Sequence, residues 1–182
     1  MATPSTRFPF PNDPQDASYA ILLDWWMALE ADKGERAELK RAENPLRVAF
    51  SPAYHDLLHR LQEAGYRLGT GSRERLALLA GLAAHVKQHT DSVRSLATQM
   101  GSPYHGSGKA PVSELRFRRL LATDDLGDLY TQLRRALSLL DGAANLMDLA
   151  HVLFRWQSIA EQNPYDPRKN WAYDYYAVAP QP

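Results

Sequence analysis

Leucine and alanine recur at three- and four-residue spacing along most of this chain, and that pattern more than any other limits what it can fold into. Side chains three and four apart share a helix face, whereas a half-buried strand needs strict alternation. Valine, isoleucine and threonine are sparse, and no run of four or more residues alternates apolar and polar with β-branched types. The expectation is an all-α helical bundle of roughly eight helices, in one domain with room for two small lobes. At 182 residues and 45% hydrophobic, the chain is long enough to bury a real core.

Local punctuation places the helices. Residues 1–16 carry Pro4, Pro9, Pro11 and Pro14, which predicts an extended arm ahead of a helical domain over residues 17–178. Leu22, Trp25, Trp26 and Leu29 predict a first helix that stops near Gly34, and Asn44-Pro45 breaks the pattern that follows. Ser51-Pro52 reads as a cap and first-turn proline, with Gly65 ending that helix. Gly69-Thr70-Gly71-Ser72 reads as a turn, with Gly71 or Ser72 opening a helix that carries Leu76, Leu79, Leu82 and Val86. A turn-rich loop is expected over Gly101–Lys109. Ser113, Asp124-Asp125 and Asp166-Pro167 mark three further helix starts, and another helix runs near Leu146 to Trp156. In the last helix Trp171 and Tyr175, four residues apart, are expected to dock in the core.

Several chemistries are excluded. Without cysteine there is no disulfide framework, thiolate zinc site or cysteine nucleophile. There is no nucleophile elbow, no P-loop and no dinucleotide fingerprint, so neither a catalytic residue nor a cofactor is expected. The longest apolar run, Leu76 to Val86 with His85 inside it, is too short to span a membrane, and the polar start of the chain does not read as a signal peptide. The expected address is the cytoplasm. Two histidine pairs, His55/His59 and His85/His89, have the i, i+4 spacing that can hold zinc. Asp56 and Val86 stand where a zincin needs glutamate, and no third ligand follows by spacing. A metal-binding helical enzyme on these pairs and a pure protein-interaction scaffold remain the alternatives.

Lys+Arg and Asp+Glu both number 21, which excludes a general polybasic coat but not a local basic face. The cations fall in doublets: Lys40-Arg41, Arg118-Arg119 just after Arg116, and Arg134-Arg135. Arg116 and Arg119 share a helix face, Arg135 lies outside the leucine stripe of its helix, and Lys87 and Arg94 lie off theirs. Guanidinium groups grip phosphate bidentately, so these positions can form a backbone-binding surface. Glu114, Asp124, Asp125 and Asp128 are close enough in sequence to neutralise several of them.

With these segments in view, the sequence resembles the CasB family, the small subunit of the type I-E CRISPR surveillance complex (Cascade). The likeness lies in Trp25 followed by Gly34-Glu35-Arg36-Ala37-Glu38-Leu39-Lys40-Arg41-Ala42, and in Arg116-Phe117-Arg118-Arg119-Leu120-Leu121 followed by Gln132-Leu133-Arg134-Arg135-Ala136-Leu137. It continues in Leu149 to Trp156 and in Trp171-Ala172 with Asp174-Tyr175-Tyr176. The resemblance implies an all-helical protein without enzymatic activity, present as a pair beside the large and backbone subunits. Its expected partners are the CRISPR RNA, the target DNA and the displaced non-target strand, and its expected role is to stabilise the R-loop. Residue by residue it implies phosphate contacts, or salt bridges to a neighbouring subunit, for Arg36, Lys40, Arg41, Arg116, Arg119, Arg134 and Arg135, with Lys87, Arg94 and Lys109 as further candidates. Lys40 stands where the family usually has arginine, which keeps the charge and loses the bidentate geometry.

Overall fold

The computed structural model describes residues 7–90, 94–157 and 164–180. Among these residues the protein is all-α, with ten helices and one pair of two-residue strands. Among the described residues no helix is long and apolar enough to cross a membrane. The chain divides into two compact units at Ala84/His85.

The first unit holds α1 (Ala17–Ala31), α2 (Lys33–Arg41), α3 (Pro45–Val48), α4 (Pro52–Glu63) and α5 (Thr70–Ala83). Each of the first four starts on a side-chain cap. Asp16, Asp32, Asn44 and Ser51 accept hydrogen bonds from first-turn amides. Asn44-Pro45, expected to break structure, starts the short α3 instead, because proline suits the first helical position. The glycine-rich 69–72 segment likewise opens α5 one residue earlier than expected, with Gly69 as its cap. α4 ends where expected. Gly65 takes φ +88°, and the amide of Tyr66 reaches back to the Leu61 carbonyl at 3.0 Å, a Schellman closure that L side chains rarely allow.

Residues 76–84 are buried without interruption, so α5 is the central helix of this unit rather than a one-sided amphipath. The tryptophans of α1 use both their rings and their N–H groups: Trp25 donates to the Ala53 carbonyl at 2.9 Å and Trp26 to the Ala83 carbonyl at 3.2 Å. The proline-rich segment, from Arg7 on, lies against the unit. Phe10 is fully buried, and its amide donates to the Ser18 hydroxyl at 2.8 Å. Asp16 accepts hydrogen bonds from Ser18 and Tyr66 and pairs with Arg7 at 3.0 Å.

In the second unit, β1 (Gln88–His89) runs parallel to β2 (Ala143–Ala144). The unit also holds α6 (Leu96–Gly101), α7 (Glu114–Leu121), α8 (Leu126–Leu139), α9 (Leu146–Arg155) and α10 (Pro167–Val178). α6 takes in Gly101, the expected start of a loop, and packs so closely on α10 that a Cβ on Gly101 would stand 2.8 Å from the Tyr175 carbonyl oxygen. Trp171 and Tyr175 are core residues, each 1% exposed. Tyr175 stacks on Phe117 at 3.9 Å between centroids and donates to the Val112 carbonyl at 2.7 Å. The Asp148 carboxylate of α9 joins the helices, accepting from the Leu96 amide that starts α6 at 2.8 Å and from the Trp171 indole at 3.0 Å. Arg168, 6% exposed, pairs with Asp166 and Asp124 and lies over the Trp156 ring at 5.1 Å.

Candidate nucleic-acid interface

α7 is amphipathic in the most direct sense. Phe117 and Leu120 are buried, while Arg116, Arg118 and Arg119 are exposed. Arg116 and Arg119 lie one turn apart on the same face, as expected from spacing. On α8, Arg135 is exposed, while Arg134 is half-buried with its guanidinium over the Tyr130 ring at 5.4 Å. Among the described residues, Arg116, Arg119 and Arg135 make no side-chain ion pair. Three of the four carboxylates that sequence proximity offered as partners are engaged elsewhere. Asp124 pairs with Arg168, Asp125 caps α8 by accepting from the Asp128 amide, and Glu114 accepts from the Tyr176 hydroxyl. These three arginines are therefore available to an outside anion.

The remaining candidates divide by what holds them. Arg36, with its side chain only 17% exposed, donates to the Ala84 carbonyl at 3.1 Å and pairs with Glu30 at 3.6 Å, so it ties α2 to the end of α5. Lys40 is half-buried and Arg41 exposed, and Arg41 lines a surface pocket of about 400 Å³ with Arg47 and Phe50. Arg47 was not singled out from sequence, although its place on the four-residue α3 leaves it exposed. Lys87 is exposed and pairs with Asp141 at 2.7 Å. That contact holds the Asp141 carboxyl below the usual carboxylate range, through the hydrogen bond first and the charge second. Arg94 and Lys109 are exposed, and the Arg94 carbonyl accepts from the Asn145 side chain at 3.0 Å.

Three of the four histidines in these pairs have local partners. His55 meets the Ala49 carbonyl at 2.9 Å, His59 sits 3.2 Å from Glu63, and His89 Nδ1 accepts from the Leu146 amide at 3.2 Å. Among the described residues no three His, Asp or Glu side chains gather to hold a metal ion.

The architecture has solved counterparts. CasB from Thermus thermophilus aligns with a TM-score of 0.65 at 24% identity, covering 90% of this chain and 99% of that one. A chain of E. coli Cascade bound to a PAM-containing double-stranded DNA target aligns with a TM-score of 0.63 at 22% identity, covering 88% of this chain and 94% of that one. At such identities the likeness establishes the fold. A search among curated proteins returned no match. A sequence model described as CRISPR-associated protein Cse2 matches residues 35–176, well over half the chain and inclusive of α7, α8 and most of α10. The chain therefore belongs to the CRISPR-associated Cse2 family, the CasB family that its sequence resembles.

Proposed function

We propose that the chain is a non-catalytic subunit of an RNA-guided antiviral surveillance complex, and that it stabilises the R-loop through backbone phosphate contacts. The observation that carries this reading is the set of exposed arginines on α7 and α8 with no carboxylate partner among the described residues. Base pairing reads the sequence in such a complex, so the subunit needs only cations aimed at phosphate. Arg116, Arg119 and Arg135 are the principal contacts, with Arg41 on the first unit; Lys40 and Arg94 are secondary. Arg36 and Arg134 act mainly as structural residues, and Lys87 acts once it leaves Asp141. The partners are the guide RNA, the target strand, the displaced strand, the large and backbone subunits, and a second copy of this chain.

The energetics suit the role. Exchange of a DNA duplex for an RNA–DNA heteroduplex is nearly balanced, so a few added ion pairs decide its direction. Each phosphate neutralised adds about 0.7–0.9 to the slope of log K against log salt. In a complex assembled with the Arg116→Ala, Arg119→Ala, Arg135→Ala variant, the R-loop should be shorter-lived, with a salt slope lower by about two to three. An unchanged lifetime and slope with the fold intact would overturn this reading.

A further inference from the structure

The tyrosines of α10 divide into two sets. Tyr175 is buried, whereas Tyr173 and Tyr176 are 66% and 42% exposed. Beside Tyr176 opens a cleft of about 490 Å³, bounded by residues 108–113, the start of α7 and the end of α10. Ala110, Ala179 and Pro180 give it apolar walls, and Lys109 and Glu114 stand at its edge. The Tyr176 ring is held in place. It meets Phe117 and Tyr175 edge to face at 6.3 and 5.3 Å, and its hydroxyl donates to Glu114 at 3.2 Å. Arg118, exposed one turn along α7 from Glu114, lies close enough to act electrostatically on the Tyr176 phenol.

The size falls within the range of small-ligand sites, roughly 300–1,000 Å³. A fixed aromatic ring with apolar walls suits a flat ring system, because stacking needs a π face and excludes water. A carboxylate at the edge accepts from an exocyclic amine, as it does from cytosine in groove recognition. The same carboxylate repels a free anion from the cleft, so the two cations are suited to phosphates that flank an inserted group. A paired strand keeps its bases stacked inside the duplex. In an R-loop the displaced strand is the one with unpaired bases.

We propose that this cleft holds one unpaired base of the displaced DNA strand, with Tyr176 as the stacking platform, Glu114 accepting from the exocyclic amine, and Lys109 and Arg118 on the flanking phosphates. The proposal rests on the R-loop reading above and adds a base contact to it.

The test uses the guide-loaded complex assembled with this chain, and targets whose displaced strand carries 5-iododeoxycytidine at one position at a time. A photocrosslink should form at one register to the peptide containing Tyr176, disappear with Tyr176→Ala and persist with Tyr176→Phe. Tyr176→Ala should also shorten R-loop lifetime by at least about fivefold, the low end for one base stacked on an aromatic ring. With an abasic site at the crosslinked register, the wild-type and Tyr176→Ala complexes should be equally short-lived. An unaltered thermal midpoint confirms that the exposed substitution leaves the fold intact. No crosslink at any register, a crosslink only to another subunit, or an unchanged Tyr176→Ala lifetime overturns the proposal. If the triple arginine variant shortens the lifetime and Tyr176→Ala does not, the base cleft alone fails; if the arginine variant has no effect, the phosphate reading fails.

Discussion

Replacing Asp148 with alanine should loosen three helices together. Its Oδ2 is the shared acceptor for the Leu96 amide at 2.8 Å and the Trp171 indole at 3.0 Å. The residues that donate are 0% and 1% exposed, so both N–H groups lose their acceptor inside the packed unit. A buried donor left without an acceptor costs about 1–3 kcal/mol, so the pair costs about 2–6 kcal/mol. Relief of the buried charge offsets part of this. Burial raises the Asp148 carboxyl above its usual pKa, against the lowering effect of the two hydrogen bonds, and Asp174 adds a smaller push upward. The folded protein therefore keeps this proton to higher pH than the unfolded chain does. Between those two values the native state binds more protons, and the Asp148 contribution to stability falls as pH rises. Asp148→Asn keeps an oxygen for both donors and removes the charge. It should match or exceed the native protein at neutral pH, and the gap should close as pH falls toward about 4. Urea unfolding followed by tryptophan fluorescence and circular dichroism checks this. With a slope of about 1–3 kcal/mol per molar, Asp148→Ala should lower the midpoint by at least about 0.5 M. If Asp148→Ala stays within about 0.5 kcal/mol of Asp148→Asn, well below the cost of two orphaned donors, the acceptor role is refuted.

Gly101→Ala should destabilise the second unit by about 1–3 kcal/mol, because α10 backbone rather than a flexible side chain occupies the space; an unchanged thermal midpoint would contradict the close packing of α6 on α10. Asp141→Asn should release Lys87 and strengthen salt-dependent nucleic-acid binding by the assembled complex. That gain should vanish when Lys87→Ala is added, and a gain that survives would assign the effect to another cation.

Helix starts were the most legible part of the sequence, because a cap is a local device. Ser51-Pro52, Asp125 and Asp166-Pro167 each act on amides two or three residues away. The short helices were harder to see. α3 and α6 span four and six residues, too few for an apolar period to repeat. The first amide of α6 relies on Asp148, 52 residues distant, and nothing in the local pattern announces such a partner. The basic face was partly legible. Spacing placed Arg116 and Arg119 together and Arg135 outward, as the structure has them. Arg134 departs from its neighbour because Tyr130 lies one turn before it and offers a ring, a signal the i, i+4 spacing could have given. Arg36 could not be assigned in this way, since its acceptor is a main-chain oxygen 48 residues on. Glu114 and Asp124 mislead for the same reason, their partners Tyr176 and Arg168 lying 62 and 44 residues away, whereas Asp125 is taken by the cap of its own helix. The i, i+4 spacing matches the burial of Trp171 and Tyr175, while Tyr173 and Tyr176 lie off that stripe and are exposed.

The Asp16 cluster has a practical consequence for anyone trimming this protein. Burial alone would raise the Asp16 carboxyl, but hydrogen bonds from Ser18 and Tyr66 and the charge of Arg7 outweigh it and hold it below its ordinary value. A truncation that begins at the first long helix would remove the carboxylate that receives the Tyr66 hydroxyl, the fully buried Phe10 ring, and the cap of α1. The boundary that looks natural on a helix map therefore cuts through the interior of the first unit. Affinity tags and fusion partners are better joined ahead of Arg7, where they leave this clasp whole.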